Sequence, residues 1–391
     1  MNIENIIQDN IDYLIKIRRY FHENPELSGE EKKTYTKITN ELKKFNINYK
    51  KVGNYGVIGF LEGKEVGKTL LLRADIDALP IEESENNLCT IKKSVSKIKG
   101  ISHMCGHDGH TAIMLTAAKV LSEIKNNIKG RVIFCFESGE EKGTGIEDMI
   151  SSLKNEKVDG VWGIHIYFDI DSGKISVEEG PVMAGNIKFN VKVNGKGGHG
   201  AMPEEAIDPI NCAAQILNSL NTINSRIISS KENFTLTVGQ IHGGDADNII
   251  PESIWFSGTI RYYEEEIKDK IVDSFSNIVK GISSANNCIS QIDWSGSNSP
   301  VVNNKEVSLF AKESIEKSLG KQYLCSHSPW LASDSMSEYL KKYKGVYAFL
   351  GTKNPTLGTG ACHHNPLFDI DEKALENGLI ATINFALDFL K

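Results

Sequence analysis

The densest group of potential ligands in this chain lies between His103 and His110, where three imidazoles and one thiol occupy eight positions. Thiolate, imidazole and carboxylate together are the donors that a borderline-soft divalent metal ion selects. A packed core explains such a group poorly, because every buried polar side chain needs its own hydrogen-bond partner. An apolar run from Ala112 to Leu121 follows, so a helix beginning near Thr111 would hold the group at one end of a scaffold. The segment therefore predicts a metal site.

Further potential ligands stand after short apolar runs of the kind that form buried strands. Glu140 and Glu141 are the most informative, because the side chains of adjacent residues diverge. One carboxylate can then bind a metal while its neighbour takes a proton from water, which is the division of roles that metal-assisted hydrolysis requires. An exposed acidic turn is the alternative for such a pair. The other candidates of this kind are Asp75, Asp77, His165, His363 and His364.

Alternating strands and helices surround these candidates. Apolar spacing predicts helices between Ile3 and Phe45. Short apolar runs predict strands at 56–61, 69–73, 130–136 and 160–166, with the helix after Thr111 between two of them. This order predicts an α/β domain with a mostly parallel central sheet, in which ligands collect at the carboxyl ends of the strands.

The middle of the chain has a different order of elements. Strands are predicted at 186–194, 234–241, 253–262 and 288–294, and helices at 208–223 and 264–284. The resulting order, β-α-β-β-α-β, is typical of an α+β ferredoxin-like unit. Such a unit can fold on its own four-stranded sheet.

Three polar residues of this middle region are candidates for contact with a substrate. His199 lies in a glycine-rich loop that lets a ligand approach the backbone, and a flexible hairpin tip is the alternative interpretation. Asn248 and Arg261 lie next to predicted strand ends. Arginine is the natural bidentate partner of a substrate carboxylate, although a surface ion pair is its more common role.

After Lys305 the alternation of helix and strand resumes. The pattern predicts a helix through Ser318, a strand at 322–325, a helix at 335–342, a strand at 346–350 and a closing helix from Glu372. We therefore predict a discontinuous α/β catalytic domain that is interrupted by an inserted α+β domain, with boundaries at 1–184, 185–296 and 297–391. A length of 391 residues agrees with two domains.

Composition narrows the class of protein. Hydrophobic residues make up 40% and charged residues 24%, as in a soluble globular protein, and no apolar run is long enough for a transmembrane helix. The amphipathic first 23 residues are unlike a signal peptide, so a cytoplasmic protein without membrane contact is expected. The net charge of −7 argues against nucleic-acid binding. Seven cysteines without a CxxC pair argue against a disulfide framework and leave Cys105 available as a thiolate.

Six motifs occur in order over nearly the whole chain. They are Asp75-Ile-Asp77-Ala-Leu-Pro, His103-Met-Cys105-Gly-His107-Asp-Gly-His110, Glu140-Glu141, Gly-Ile-His165, Gly-Gly-His199-Gly-Ala with Asp208-Pro209, and His364-Asn-Pro366-x-Phe368. As a set they resemble the N-acyl-amino-acid amidohydrolases, a metallohydrolase family that includes aminoacylases, hippurate hydrolases and plant auxin-conjugate hydrolases. The set is highly specific, whereas its single pieces are not.

The resemblance implies a zinc-exopeptidase-like catalytic domain with a centre of two divalent metal ions, Zn²⁺ or Mn²⁺, with Co²⁺ and Ni²⁺ as further candidates. It implies that Glu140 is the general base that activates water, and that Asp77 orients a metal ligand. His199 would stabilise the tetrahedral oxyanion, often from the partner subunit of a homodimer formed through the inserted lid domain. The implied metal ligands are Cys105, His107, Glu141, His165 and His364.

Two segments depart from the family pattern. Glu204 and Glu205 follow Pro203, where many relatives have a histidine, and 332–336 replaces a more acidic segment that contains phenylalanine. Both are expected where substrate specificity is set. Of the two adjacent histidines, the family spacing His-x-Pro favours His364 as the ligand. The sequence leaves open which ligand bridges the two metals, and Cys105 is a candidate because its side chain is small and deprotonated.

We therefore predict a metal-dependent amidohydrolase that cleaves a small N-acyl amino acid, such as an acetyl or benzoyl derivative, to a carboxylic acid and a free amino acid. A dipeptidase or carboxypeptidase on the same scaffold is the alternative. A binding protein that has lost catalysis would lack a ligand or the base, and this chain lacks neither. A redox or nucleophilic Cys105 is a further alternative, and it predicts activity that survives chelation.

Overall fold

The computed structural model describes residues 3–391, without the side chain of Ser297. Two compact units are present. The first unit comprises residues up to Val182, together with Val302–Ser328 and Asp334–Lys391. The second unit comprises Met183–Val301 and the short segment Pro329–Ser333. Each unit has its own hydrophobic core.

The described residues form ten α-helices, which alternate with strands in the first unit. None of these helices is long and apolar enough to cross a membrane. The helices are α1 (Ile3–Asp9), α2 (Ile11–Glu23), α3 (Lys32–Lys44), α4 (His107–Glu123), α5 (Ile146–Ser152), α6 (Pro209–Thr222), α7 (Glu265–Ala285), α8 (Lys305–Leu319), α9 (Met336–Lys342) and α10 (Ala374–Phe389).

The strands are β1 (Asn48–Val52), β2 (Gly56–Glu62), β3 (Glu65–Asp75), β4 (Lys129–Glu137), β5 (Gly160–Asp171), β6 (Ile175–Ser176), β7 (Gly180–Met183), β8 (Gly185–Asn194), β9 (Gly198–His199), β10 (Phe234–His242), β11 (Ile249–Ile250), β12 (Ser253–Tyr262), β13 (Ile289–Asn298), β14 (Val301–Asn303) and β15 (Gly345–Lys353).

A seven-stranded sheet forms the centre of the first unit, in the order β1-β2-β4-β3-β5-β15-β6. The inner strands β4, β3, β5 and β15 are parallel to one another, and the outer strands pair antiparallel. The prediction of an α/β fold with a largely parallel central sheet is confirmed. Because β3 and β4 are parallel, their carboxyl ends lie side by side, and Asp75 is paired with Glu137 there. The polar residues that follow these strands therefore share one edge of the sheet.

Helix α4 begins at His107, four residues before the predicted start at Thr111. Gly106 precedes it with φ of +88°, a left-handed conformation that glycine adopts without a clash of a Cβ atom. The helix is buried along almost its whole length, because it packs against both α2 and α10. His107 and His110 therefore lie on one face of a buried helix end.

The second unit contains a four-stranded antiparallel sheet in the order β10-β12-β8-β13. Helices α6 and α7 pack on one another and contribute to a core with the alternate side chains of the strands. Phe275 of α7 is fully buried, and its ring centroid lies 4.6 Å from that of Phe189 and 5.2 Å from that of Trp294. This aromatic group anchors α7 to the sheet.

The strand predicted at 322–325 is wrong. Lys321–Tyr323 form a single 3₁₀ turn, and Leu324 makes only an isolated bridge to Ile175. The N–H groups of Tyr323 and Leu324 donate within this turn, to the carbonyl oxygens of Gly320 and Lys321, so they do not pair with a neighbouring strand. The pattern also missed β1, because its sequence Asn-Tyr-Lys-Lys-Val is mostly polar.

We expect Phe275→Ala to lower the free energy of unfolding of the second unit by about 3–5 kcal/mol, because it removes a fully buried ring that packs against Phe189 and Trp294. Urea unfolding followed by tryptophan fluorescence measures this change. Ile289→Ala is the matched control, because the Ile289 side chain is 74% exposed. Equal unfolding midpoints for the two variants would contradict the packing described.

Candidate metal centre

The structure brings all five predicted metal ligands to one edge of the central sheet. Their donor atoms form overlapping groups in which every pair of atoms lies within 4.8 Å. Cys105 belongs to two groups, one with His107 and His165 and one with Glu141 and His364. A thiol shared by two donor groups is well placed to contact two ions.

Hydrogen bonds on the far side of each ring fix the orientation of the two buried imidazoles. His107 Nδ1 lies 3.0 Å from the carbonyl oxygen of Asp77 and 3.2 Å from its carboxylate. His165 Nδ1 lies 2.6 Å from the carbonyl oxygen of Ile166. Because a carbonyl only accepts, both Nδ1 atoms carry a proton in the neutral ring. The Nε2 atoms therefore carry the lone pairs, and that of His165 lies 3.8 Å from Cys105 Sγ.

Two buried polar atoms in this group form no hydrogen bond of regular geometry with the described residues. They are Nε2 of His107 and Oε1 of Glu141, and they lie 3.8 Å apart. Burial, followed by the charge of Glu141, raises the pKa of the Cys105 thiol well above its ordinary value. A divalent cation at this point would satisfy both orphaned atoms and favour the thiolate. The donor set thus fits a metal ion.

His110 lies in the same cluster but cannot serve as a ligand in this arrangement. Its Nε2 accepts the backbone N–H of Ile166 at 2.8 Å, so its Nδ1 carries the proton and donates to Asp75 at 2.6 Å. Both ring nitrogens are used. Asp75 was named from the sequence as a strand-end carboxylate without a role, and the structure places it behind His110 as a positioning group.

The adjacent histidines His363 and His364 have different surroundings. His363 is buried against aromatic rings, with its centroid 5.0 Å from that of Phe368. His364 is exposed, has φ of +61°, and places Nε2 3.4 Å from Oε1 of Glu141. The left-handed backbone is uncommon for a residue with a side chain, and such conformations concentrate at functional sites. Only His364 of this pair belongs to a candidate metal group in the described part of the chain.

Glu140 is half-buried beside these ligands. Its Oε1 accepts the backbone N–H of Ser335 at 3.2 Å. Burial is the main cause of a pKa raised well above the ordinary value of a carboxyl, and the charges of Asp334 and Glu141 add to it. A carboxylate with a raised pKa is a stronger base, which suits it to accept a proton from water.

Behind Glu140 lies a fully buried ion network centred on Arg73. The guanidinium bonds Asp75 at 2.7 Å, Glu137 at 3.0 Å and the hydroxyl of Ser335 at 2.7 Å. The Ser335 hydroxyl in turn donates to Glu137 at 2.6 Å. The residue that holds Glu140 through its backbone is therefore fixed by two side-chain bonds of its own. The sequence showed Glu137 at the end of the apolar run before Glu140 and Ser335 in the segment 332–336, but it did not indicate that they position Glu140.

A buried lysine holds the loop that carries His364. The side chain of Lys92 is 0% exposed, and its Nζ donates to Glu83 at 2.9 Å and to the carbonyl oxygen of Pro366 at 2.9 Å. Ser84 N–H donates to the same carbonyl at 3.1 Å. Although burial alone raises the pKa of Glu83, His22 and Lys92 lower it to about 2, so this carboxylate stays ionised. No local sequence pattern indicated this link.

The three candidates of the middle region lie in the second unit. His199 and Ile249 are paired between β9 and β11, which places Asn248 directly beside the His199 loop. Both His199 and Asn248 are exposed, and they line a cavity of about 1050 Å³ within this unit. His199 Nδ1 accepts the N–H of Ala201 at 3.0 Å. Arg261 is half-buried and donates to Ser333 at 3.1 Å.

Residues 71–388 match the model of the peptidase family M20/M25/M40. The chain is 36% identical over 393 residues to thermostable carboxypeptidase 2 of Saccharolobus solfataricus. This match covers 99% of this chain and 98% of that protein. It is 36% identical over 363 residues to N-acetyl-L-cysteine deacetylase of Bacillus subtilis, with 93% of this chain and 84% of that protein covered. Both matches therefore extend over almost the full length of the chain.

A solved structure from Bacillus subtilis, described as a dinuclear metal-binding peptidase from the M20 family, resembles this one with a TM-score of 0.85. The identity is 28%, and the match covers 98% of this chain and 99% of the other. The similarity includes the strands and α4 that carry the donor groups, because nearly the whole chain is superposed.

We expect Lys92→Met to weaken binding of Zn²⁺ or Mn²⁺ by about 10- to 100-fold, the usual effect of removing an outer support of a metal ligand. The substitution removes one of the two cationic partners of buried Glu83, leaving His22, and releases the loop that presents His364. Competition with a chelator of known affinity measures the change, and circular dichroism checks the fold.

Lys97→Met is the matched control, because Lys97 pairs with Glu23 at 2.6 Å on the surface and is 67% exposed. Its metal affinity should equal that of the unaltered chain. Folded Lys92→Met protein with unchanged affinity would show that this link does not position a ligand.

Proposed function

Because the chain belongs to the peptidase family M20/M25/M40 and is a hydrolase of amide bonds, we propose that it cleaves small N-acyl amino acids to a carboxylic acid and a free amino acid. The single observation that carries this proposal is the pair of orphaned buried atoms, His107 Nε2 and Glu141 Oε1, next to the raised-pKa carboxyl of Glu140. Two potential ligands that lack a cation therefore lie next to a base that can accept a proton. The resemblance to the N-acetyl-L-cysteine deacetylase supports an N-acyl amino acid as the substrate class.

The family and the donor groups support a divalent metal cofactor. We propose two ions per chain, Zn²⁺ or Mn²⁺, with Co²⁺ and Ni²⁺ as further candidates, because mixed thiolate, imidazole and carboxylate donors suit these metals. When bound, such ions lower the pKa of water and polarise the amide carbonyl. The proposed ligands are Cys105, His107, Glu141, His165 and His364.

The side chains of the site then divide the work of hydrolysis. Glu140 accepts the proton of the attacking water and passes it to the leaving amine, for which its raised pKa and its fixed position beside Ser335 suit it. Asp77 holds the ring of His107 from behind and accepts the backbone N–H of Glu141 at 3.0 Å. One carboxylate thus sets the positions of two proposed ligands.

We propose that the second unit acts as an inserted lid and as the dimerisation surface of a homodimer. His199 would donate to the tetrahedral oxyanion, and Arg261 and Asn248 would bind the substrate carboxylate and backbone. The exposure of His199 and Asn248 and the open cavity beside them support this role. The composition supports a cytoplasmic enzyme.

Cleavage of dipeptides or of C-terminal residues is the alternative, and the similarity to thermostable carboxypeptidase 2 favours it. A metal-loaded sample assayed with N-acetyl and N-benzoyl amino acids, dipeptides and longer peptides separates the two. We expect the N-acyl amino acids to give the highest kcat/KM. Faster turnover of peptides would replace the proposal by the peptidase alternative.

We expect Glu140→Gln to reduce kcat by at least about 10²- to 10⁴-fold with unchanged metal content, because an amide cannot accept the proton of water. Steady-state kinetics and metal analysis of the same sample measure both quantities. Glu147→Gln is the control, because Glu147 is an exposed residue at the start of α5. Near-normal turnover by fully metal-loaded Glu140→Gln protein would show that the base is another group.

A further inference from the structure

A buried carboxyl group that does not belong to the proposed ligand set lies behind the turn that carries Glu140. It is the side chain of Glu31, which directly precedes α3 and is 0% exposed. Its Oε1 accepts the backbone N–H of Gly139 at 2.7 Å. Gly139 is the residue before Glu140, so this contact reaches the backbone of the proposed base from a distant part of the chain.

The turn after β4 is closed by its own backbone. Gly139 has φ of +72°, and a Cβ atom there would clash with the hydroxyl of Thr144. The N–H of Thr144 donates to the carbonyl oxygen of Gly139 at 3.0 Å, and that of Gly143 donates to the carbonyl oxygen of Glu140 at 2.8 Å. Because these bonds fix the shape of the turn, a contact that holds its first residue also sets the direction of the Glu140 side chain.

Two separate carboxyl groups hold the backbone on either side of Glu140. The N–H of Gly139, before it, donates to Glu31. The N–H of Glu141, after it, donates to Asp77 at 3.0 Å. Glu31 is therefore the counterpart of Asp77 on the opposite side of the base.

The segment that carries Glu31 is itself firmly bound. Glu26 caps the start of α3, where its Oε2 accepts the backbone N–H of Thr34 at 2.8 Å. Ser28, three residues before Glu31, donates its hydroxyl to Asp77 at 2.6 Å. One short segment thus supports both of the carboxyl groups that hold the turn.

Glu31 is costly where it lies, because burying a carboxyl group without full hydrogen bonding costs free energy. Its Oε2 forms no hydrogen bond of regular geometry with any residue that the structure describes. Burial is the main cause of a pKa raised to about 7. The group is therefore only partly ionised at neutral pH, and what it supplies to Gly139 is an acceptor oxygen more than a full negative charge. Such perturbed carboxyl groups concentrate at functional sites.

We propose that Glu31 is a positioning residue for hydrolysis, whose Oε1 holds the turn at Gly139 and thereby keeps the Glu140 carboxylate in place. This inference rests on the proposed role of Glu140 as the base. Glu31 belongs to none of the candidate metal groups among the described residues, so it acts through the turn and not on a metal ion.

Three variants separate the acceptor oxygen from the charge. Glu31→Ala removes the acceptor, and we expect kcat for N-acyl amino acids to fall by about 10- to 100-fold with KM and metal content unchanged. Glu31→Asp keeps a carboxyl but shortens the side chain by one methylene group, so it should lose activity as well. Glu31→Gln keeps the acceptor oxygen, and its NH₂ group replaces the oxygen without a regular bond, so it should retain most of the rate. Glu30→Ala, which alters the exposed neighbour, is the matched control.

A double variant shows whether Glu31 acts through Glu140. In Glu140→Gln protein, adding Glu31→Ala should lower the residual rate by less than about twofold, because the base that Glu31 positions is already absent. A further loss as large as that in the unaltered background would overturn the proposal. Near-normal turnover by Glu140→Gln alone is a different result, which would refute the proposed base itself.

Hydrogen–deuterium exchange of the full chain tests the contact without any measurement of activity. Peptides from the segment 138–145 should exchange faster in Glu31→Ala than in the unaltered chain or in Glu31→Gln, because the N–H of Gly139 loses its acceptor. Circular dichroism checks the fold, and Glu31→Asp replaces Glu31→Ala if the latter does not fold. Unchanged exchange in a folded variant without the acceptor would overturn the proposal, as would an equal loss of kcat in Glu31→Gln and Glu31→Ala.

Discussion

The site depends on one constraint, which is that a buried polar atom must find a partner. At the edge of the central sheet, His107 Nε2 and Glu141 Oε1 converge on Cys105 without a hydrogen bond from the described part of the chain. The carbonyl of Asp77 fixes the ring of His107 from behind, and the carboxylate of Asp77 accepts the backbone N–H of Glu141. The fold thus holds donor atoms together at a cost in free energy that a cation can offset. The order of strands and helices serves that arrangement.

The proposed base, Glu140, is also held in place by contacts with buried residues. Glu140 sits on a turn after β4, and its partner Ser335 starts a helix almost two hundred residues later. Arg73 bonds Ser335 and also Glu137, which ends β4 three residues before Glu140. Because a charged group without its partner is costly inside a protein, this network fixes the geometry of Glu140 more firmly than an exposed turn could. The raised pKa of Glu140 follows from the same burial.

The central sheet and several residues of the candidate site could be predicted from sequence, because apolar runs that end in potential ligands mark the carboxyl ends of parallel strands. Asp75, Glu140 and His165 were all found in this way. The family pattern gave His110 a supporting role, and the structure supplies the physical reason, which is the hydrogen bond from the backbone N–H of Ile166 to its Nε2. The link from Lys92 to Pro366 spans 274 residues and leaves no periodic signal. The strand predicted at 322–325 failed because a short run of mixed residues has no preference strong enough to outweigh its surroundings.

The central claim is that the cluster around Cys105 binds the metal on which hydrolysis depends. It is tested most directly by adding Mn²⁺ or Zn²⁺ to metal-free protein and measuring, in one titration, the ions bound per chain and the rate of N-acyl amino acid hydrolysis. We expect no hydrolysis at zero metal and a rate that rises with occupancy to a plateau at two ions per chain, the stoichiometry that we propose. Full activity in the metal-free protein would contradict this claim, as would unchanged binding of two ions by a folded chain in which Cys105 and His107 are replaced by alanine.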